Sequence, residues 1–160
     1  MLDQAVIVSR DMGKLEDVAS LAERGALMYR QVNKPEAAAT LLDKAAKILE
    51  KERPQDATGL YEKAAETVST EDRPNVAAEY MGKAARLYVR CKDYDAGAGC
   101  LRREVEWRRE AGTQAGQAVM GLVLIQLVKG DTVAAEKVFR EWGGWLEGNQ
   151  ARAVQNTLQV

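Results

Sequence analysis

The chain has 160 residues, enough for one domain with its own core or a short array of repeats, and its 46% apolar and 29% charged residues exclude a disordered chain. A net charge of −1 gives no overall field for nucleic acid, so any basic patch must be local. Histidine is absent, which removes the commonest general base, most zinc sites and every Ser–His or Cys–His nucleophile pair.

In chain order, "MLDQAVIVSRDMGK" lacks the basic start and long apolar core of a signal peptide, and its "LDQAVIVSRDM" reads as one helix without a hairpin partner. Five similar registers follow, beginning at Leu15, Pro35, Pro54, Pro74 and Tyr94. The three prolines suit the first turn of a helix. Fourth positions are Val18, Ala38, Ala57, Ala77 and Gly97, and eighth positions are Ala22, Leu42, Tyr61, Met81 and Leu101. The eleventh and twelfth are Gly25-Ala26, Ala45-Ala46, Ala64-Ala65, Ala84-Ala85 and Glu104-Val105. Steps of four and three place all of these on one helical face. Each register is therefore an amphipathic helix of about 16 to 19 residues, and turns as short as "VNKP", "KERP", "EDRP" and "CKDYD" make neighbours antiparallel. Two helices give a period near 39 to 40 residues, as in helical-repeat solenoids. Ala45, Ala64 and Ala84 are expected packing seams, small enough for the next helix to approach closely.

Beyond the fifth register, residues 113–129 predict the most buried helix, and residues 131–142 another, with Asp131 as N-cap. Gly143-Gly144 breaks that helix, and a last helical piece runs from Gly148-Asn149 to about Leu158. The expected fold is all-α: a TPR-like α-solenoid of about eight or nine antiparallel helices, forming a single helical-repeat domain over 1–160. The 34-residue tetratricopeptide pattern itself is not matched, because the period is too long and no tryptophan opens each unit.

Little here supports catalysis. Ser9, Ser20 and Ser69 lie outside any nucleophile elbow, and no Gly-Lys-Ser/Thr phosphate loop occurs. Cys91 and Cys100 make neither a disulfide framework nor a four-cysteine zinc site, and favour a reducing compartment. "AVMGLVLIQLV", at 11 residues, falls short of the roughly 20 needed to span a bilayer. No enzyme activity, cofactor, metal, small-molecule substrate or nucleic acid is expected.

Several surface features have two readings. The tenth register position, Lys44, Lys63, Lys83 and Arg103, is either a set of stems covering the edge of the apolar stripe or a line of charge along one side of the solenoid. "CLRREVEWRRE" reads as a solvated face with i,i+4 pairs such as Glu104–Arg108, or as a basic stripe. Cys91 and Cys100 read as half-buried packing residues. Trp142 and Trp145, around two glycines, either fold onto the preceding hairpin or form an aromatic contact patch for a partner.

The stretches "AAEYMGKAARLYVRCKDYDAGAGCLRREVEWRRE", "KLEDVASLAERGALMYRQVNKPEAAATLLDKAAKIL" and "GDTVAAEKVFRE" resemble the soluble NSF attachment protein (SNAP) family, its gamma branch (gamma-SNAP) more than its alpha/beta branch. The likeness is collinear from about residue 12 to residue 141, over the family's middle portion. It implies a cytoplasmic adaptor, peripheral on vesicle and organelle membranes, that binds SNARE complexes and recruits the ATPase NSF to disassemble them during vesicle trafficking and membrane fusion. It also implies a basic stripe on a concave face; Lys34, Lys83, Arg86 and Arg90 fall where the resemblance places partner-binding bases. The family's N-terminal hairpins and NSF-stimulating C-terminal tail find no counterpart, so membrane contact and NSF stimulation do not carry over. The alternative is a TPR-like scaffold for another protein or peptide.

Overall fold

The computed structural model describes residues 2–159. Its helices are α1 (Leu2–Asp11), α2 (Leu15–Gln31), α3 (Pro35–Leu49), α4 (Pro54–Ser69), α5 (Pro74–Arg90), α6 (Tyr94–Glu110), α7 (Gly116–Val128), α8 (Thr132–Trp142) and α9 (Gly148–Leu158), with a 3₁₀ turn at Gly143–Trp145. Among the described residues there is no strand, and each helix packs on the next as an α-solenoid requires. Helices α2 to α6 start at the five residues that the register predicts.

Local chemistry sets those boundaries. Pro35, Pro54 and Pro74 each open a helix, where the missing N–H has no partner to lose. α6 and α8 are opened by carboxylates: Asp93 accepts from Ala96 N at 3.2 Å, and Asp131 accepts from Ala134 N at 2.9 Å. One turn recurs at the ends of α1, α2, α5, α6 and α7. In it a residue of positive φ follows the helix: Gly13, Asn33, Lys92, Gly112 and Gly130. Its N–H returns to the carbonyl three residues back, and the next N–H to the carbonyl five back, as in Lys92 N to Val89 O (3.0 Å) and Asp93 N to Tyr88 O (2.9 Å). This turn shortens α7 relative to expectation. Thr113 N is committed to Arg108 O at 2.8 Å, so the chain turns helical again only at Gly116.

The fourth, eighth, eleventh and twelfth register positions are buried in all five helices. Ala45, Ala64 and Ala84 have 0% exposure, as seams should. One apolar cluster runs from Val6 to Val154. α5 and α6 approach closely, so that a Cβ on Gly82 would stand 2.9 Å from Glu104 Oε2. Among the described residues no helix is long and apolar enough to cross a membrane.

Candidate partner-binding surface

Alternate helices lie side by side, and charges join them. α3 carries carboxylates at Glu36, Asp43 and Glu50, a seven-residue step of nearly two turns that keeps them on one flank. α5 answers with bases. Arg73 at its N-cap reaches Glu36 at 2.8 Å, Lys83 Nζ reaches Asp43 Oδ1 at 2.8 Å, and Arg90 lies 4.0 Å from Glu50. Asp43 also takes Lys47 at 2.9 Å, and Glu50 accepts the hydroxyl of buried Tyr61. On the other layer Lys63 meets Glu23 at 2.6 Å, and Arg103 meets Glu66 at 3.2 Å.

These contacts divide the four bases proposed for a partner. Lys83 is half-buried and pinned: besides Asp43, its ammonium lies 5.3 and 5.8 Å from the ring centroids of Tyr80 and Tyr61. Arg90 is 65% exposed and only loosely held by Glu50. Lys34, the N-cap of α3, and Arg86 are exposed, and neither forms an ion pair among the described residues. The α3–α5 face thus alternates acid and base, with its free charge on Lys34 and Arg86. The pairing of acid with base some forty residues later was the missed signal, visible as the offsets 23/63, 43/83 and 50/90.

"CLRREVEWRRE" is a solvated face only in part: Glu106, Arg109 and Glu110 are exposed and the i,i+4 pair Glu104–Arg108 forms, but that pair is not on the surface. Glu104 is buried, at 6% exposure, with Arg108 Nε 2.9 Å from its Oε1. Burial pushes its carboxyl above the ordinary range, against the pull of Arg108. The guanidinium carbons of the other three arginines lie over tryptophans: Arg102 over Trp142 (5.6 Å), Arg103 over Trp107 (4.8 Å) and Arg109 over Trp145 (5.5 Å). Trp142 and Trp145 do not form one exposed patch. Trp142 is folded onto the core at 5% exposure, because α8 turns it inward, and only Trp145, at 40%, reaches solvent. The cysteines are not alike either. Cys91 is exposed, whereas Cys100 is buried, and burial pushes its thiol up to about 12.

Between the start of α5, the end of α6, the start of α7 and residues 145–150 lies a polar cavity of about 760 Å³. Glu79, Glu104, Arg108, Gln117 and Gln150 are among its walls. Sequence periodicity does not reveal it.

The architecture recurs in solved structures. BtubC (BKLC) from P. vanneervenii superposes with a TM-score of 0.58 at 18% identity over 99% of this chain, which spans 63% of BtubC's length. Nearly identical TPR-like repeats of a Podosopora anserina protein described as a kinesin light chain give 0.56 at 14% identity, covering 98% of this chain and 82% of that one. At such identities the likeness shows the fold alone. The sequence itself goes further, since the family model "Soluble NSF attachment protein, SNAP" matches residues 3–120. The chain belongs to the soluble NSF attachment protein family.

Proposed function

We propose that the chain is an adaptor of the family's gamma branch, corresponding to its central hairpins, that holds acidic SNARE bundles and links them to the ATPase NSF at the cytoplasmic side of membranes. The carrying observation is the free charge on one layer. Lys34 and Arg86 are exposed and unpaired among the described residues, and Arg90 is only loosely held beside them. Pairing such bases with an acidic helical surface releases no internal partner, and it acts mainly through association rate and register. Lys83 has a different part. It neutralises Asp43, which is only 9% exposed, and so holds the α3–α5 groove closed. The adaptor reading assigns no catalytic step.

The test is pull-down of a purified SNARE bundle with Lys34→Glu/Arg86→Glu and, separately, Lys83→Glu. The first should lose the bundle at about 0.1 M salt while keeping its helical circular dichroism. The second should lower the melting temperature, because it sets a third carboxylate against Asp43 and Glu50. Unchanged binding by the first variant removes the site assignment. Binding by the wild-type chain that is indifferent to salt favours a scaffold for an apolar helix instead.

A further inference from the structure

We propose that the polar cavity between α5 and α7 is a docking site for a polypeptide segment that inserts a lysine or arginine side chain. The neighbouring groove shows what fills such a space in this fold. Between α3 and α5, the Lys83 ammonium crosses to Asp43 and lies over Tyr80 and Tyr61. One repeat later Gly82 stands where the register puts Asp43, and α7, "GQAVMGLVLIQLV", brings no charge of its own. Among the described residues no lysine or arginine of α7 crosses this groove as Lys83 crosses the other, Arg108 reaches it only from α6, and a cavity of about 760 Å³ remains.

The carboxylate absent from Gly82 arrives from the other layer. Glu104 occupies the register position that holds alanine in α3, α4 and α5, and its Oε2 lies 2.9 Å from where a Gly82 Cβ would stand. It therefore forms part of the cavity wall while 94% of its surface is buried. Glu79 and Glu147 line the same space, the latter while capping α9, so among the described residues the lining carries three carboxylates and one base, Arg108, which pairs with Glu104. A further cation would add to the pull of Arg108 and Arg86 and so offset the desolvation that raises the Glu104 carboxyl. The occupant is a polypeptide rather than a free cation for two reasons. The volume is that of a site for a ligand far larger than an ammonium ion. Gln114 and Gln117 supply paired donors and acceptors suited to peptide groups, whereas Gln150 Oε1 already accepts from Glu147 N, and the Trp145 ring, over which Arg109 also lies, adds an apolar surface.

The cavity lining includes neither Lys34 nor Arg86, and although the Arg86 charge is felt by Glu104, the two surfaces are tested by different variants and different ligands. The experiment titrates the full ¹⁵N-labelled chain with acetyl-Gly-Arg-Gly-Arg-Gly-amide, with the same peptide carrying citrulline for arginine, and with arginine amide alone. Saturable shifts of the Gly112–Ala118 amides and the Trp145 indole are expected with the arginine peptide only. Glu79→Gln, at an exposed position, and the isosteric Glu104→Gln should each weaken binding at least about tenfold, the scale of losing a charge-assisted contact. Equal shifts with citrulline, undiminished binding by both variants, shifts elsewhere, or no shifts overturn the proposal. Arginine amide binding as tightly as the peptide overturns the polypeptide assignment.

Discussion

Gly82→Ala should destabilise the chain, and Glu104→Ala should reverse the sign of that effect. The added methyl carbon would lie 2.9 Å from Glu104 Oε2 and 3.1 Å from its Cδ and Oε1. A carboxylate at the end of a side chain ordinarily steps aside. Here it is buried at 6% exposure and tied to Arg108 at 2.9 Å, so it yields only by loosening that pair. An extra methyl in a filled seam costs about 1–3 kcal/mol. Exchanging glycine for alanine within a helix contributes about 0.5–1 kcal/mol in the opposite direction. The strain wins, and Gly82→Ala alone should lose about 0.5–2 kcal/mol.

With Glu104→Ala in place, the register position carries the alanine found in α3, α4 and α5, and the obstruction is gone. The same Gly82→Ala change should then stabilise by about 0.5–1 kcal/mol. Urea unfolding of the four proteins gives the coupling between the two sites, expected at about 1–3 kcal/mol. Additivity within about 0.5 kcal/mol, or a gain from Gly82→Ala alone, would refute the reasoning.

Three further outcomes are expected. Burial holds the Glu104 carboxyl above its ordinary 4.5 in the folded chain, so its contribution is fully present below that pH and is lost as pH rises through the raised folded value. Glu104→Gln should therefore gain stability relative to wild type as pH rises above the ordinary 4.5 in thermal melts, and a constant difference would contradict this. Ala64→Leu and Ala84→Leu should each cost about 1–3 kcal/mol. Glu66→Ala, which removes an exposed partner of Arg103, should cost under about 1 kcal/mol, and equal losses would mean that the faces are misassigned. Lys92 holds φ +62° in a turn that takes glycine at Gly13, Gly112 and Gly130, so Lys92→Gly should raise stability by about 1 kcal/mol in urea melts; no gain would show that the side chain earns its place there.

What could be read from sequence was whatever a single helix decides. Proline at N1 fixed three helix starts, and alanine at one register position marked the seams, because both depend on neighbours within four residues. Glu104 was misread for the complementary reason. Glu104 and Arg108 satisfy the i,i+4 rule of a surface pair, while their burial depends on a missing side chain at Gly82, on another helix. Lys83 was seen as a flank lysine, but its partner Asp43 lies forty residues earlier. Trp142 and Trp145 look equivalent around their glycines, and only the packing of α8 separates a buried ring from an exposed one.

Charge does here what packing cannot. Among the described residues, the ion pairs joining alternate helices run one way: Glu23 to Lys63, Glu36 to Arg73, Asp43 to Lys83, Glu50 to Arg90 and Glu66 to Arg103, acid on the earlier helix and base on the later. Most are exposed and worth only about 0–1 kcal/mol each, too little to hold the solenoid together. The alanine seams, by contrast, are nearly interchangeable between α3, α4 and α5, so apolar packing alone would tolerate neighbours in the wrong succession. Acid on the earlier helix and base on the later disfavours neighbours whose like flanks would set equal charges face to face. The ladder stops at α5, whose residues at the Glu36, Asp43 and Glu50 positions are Asn75, Gly82 and Val89. The groove left unbridged there is the one that holds the cavity, so the point where internal pairing ends is also where the chain has room and charge for a segment from outside.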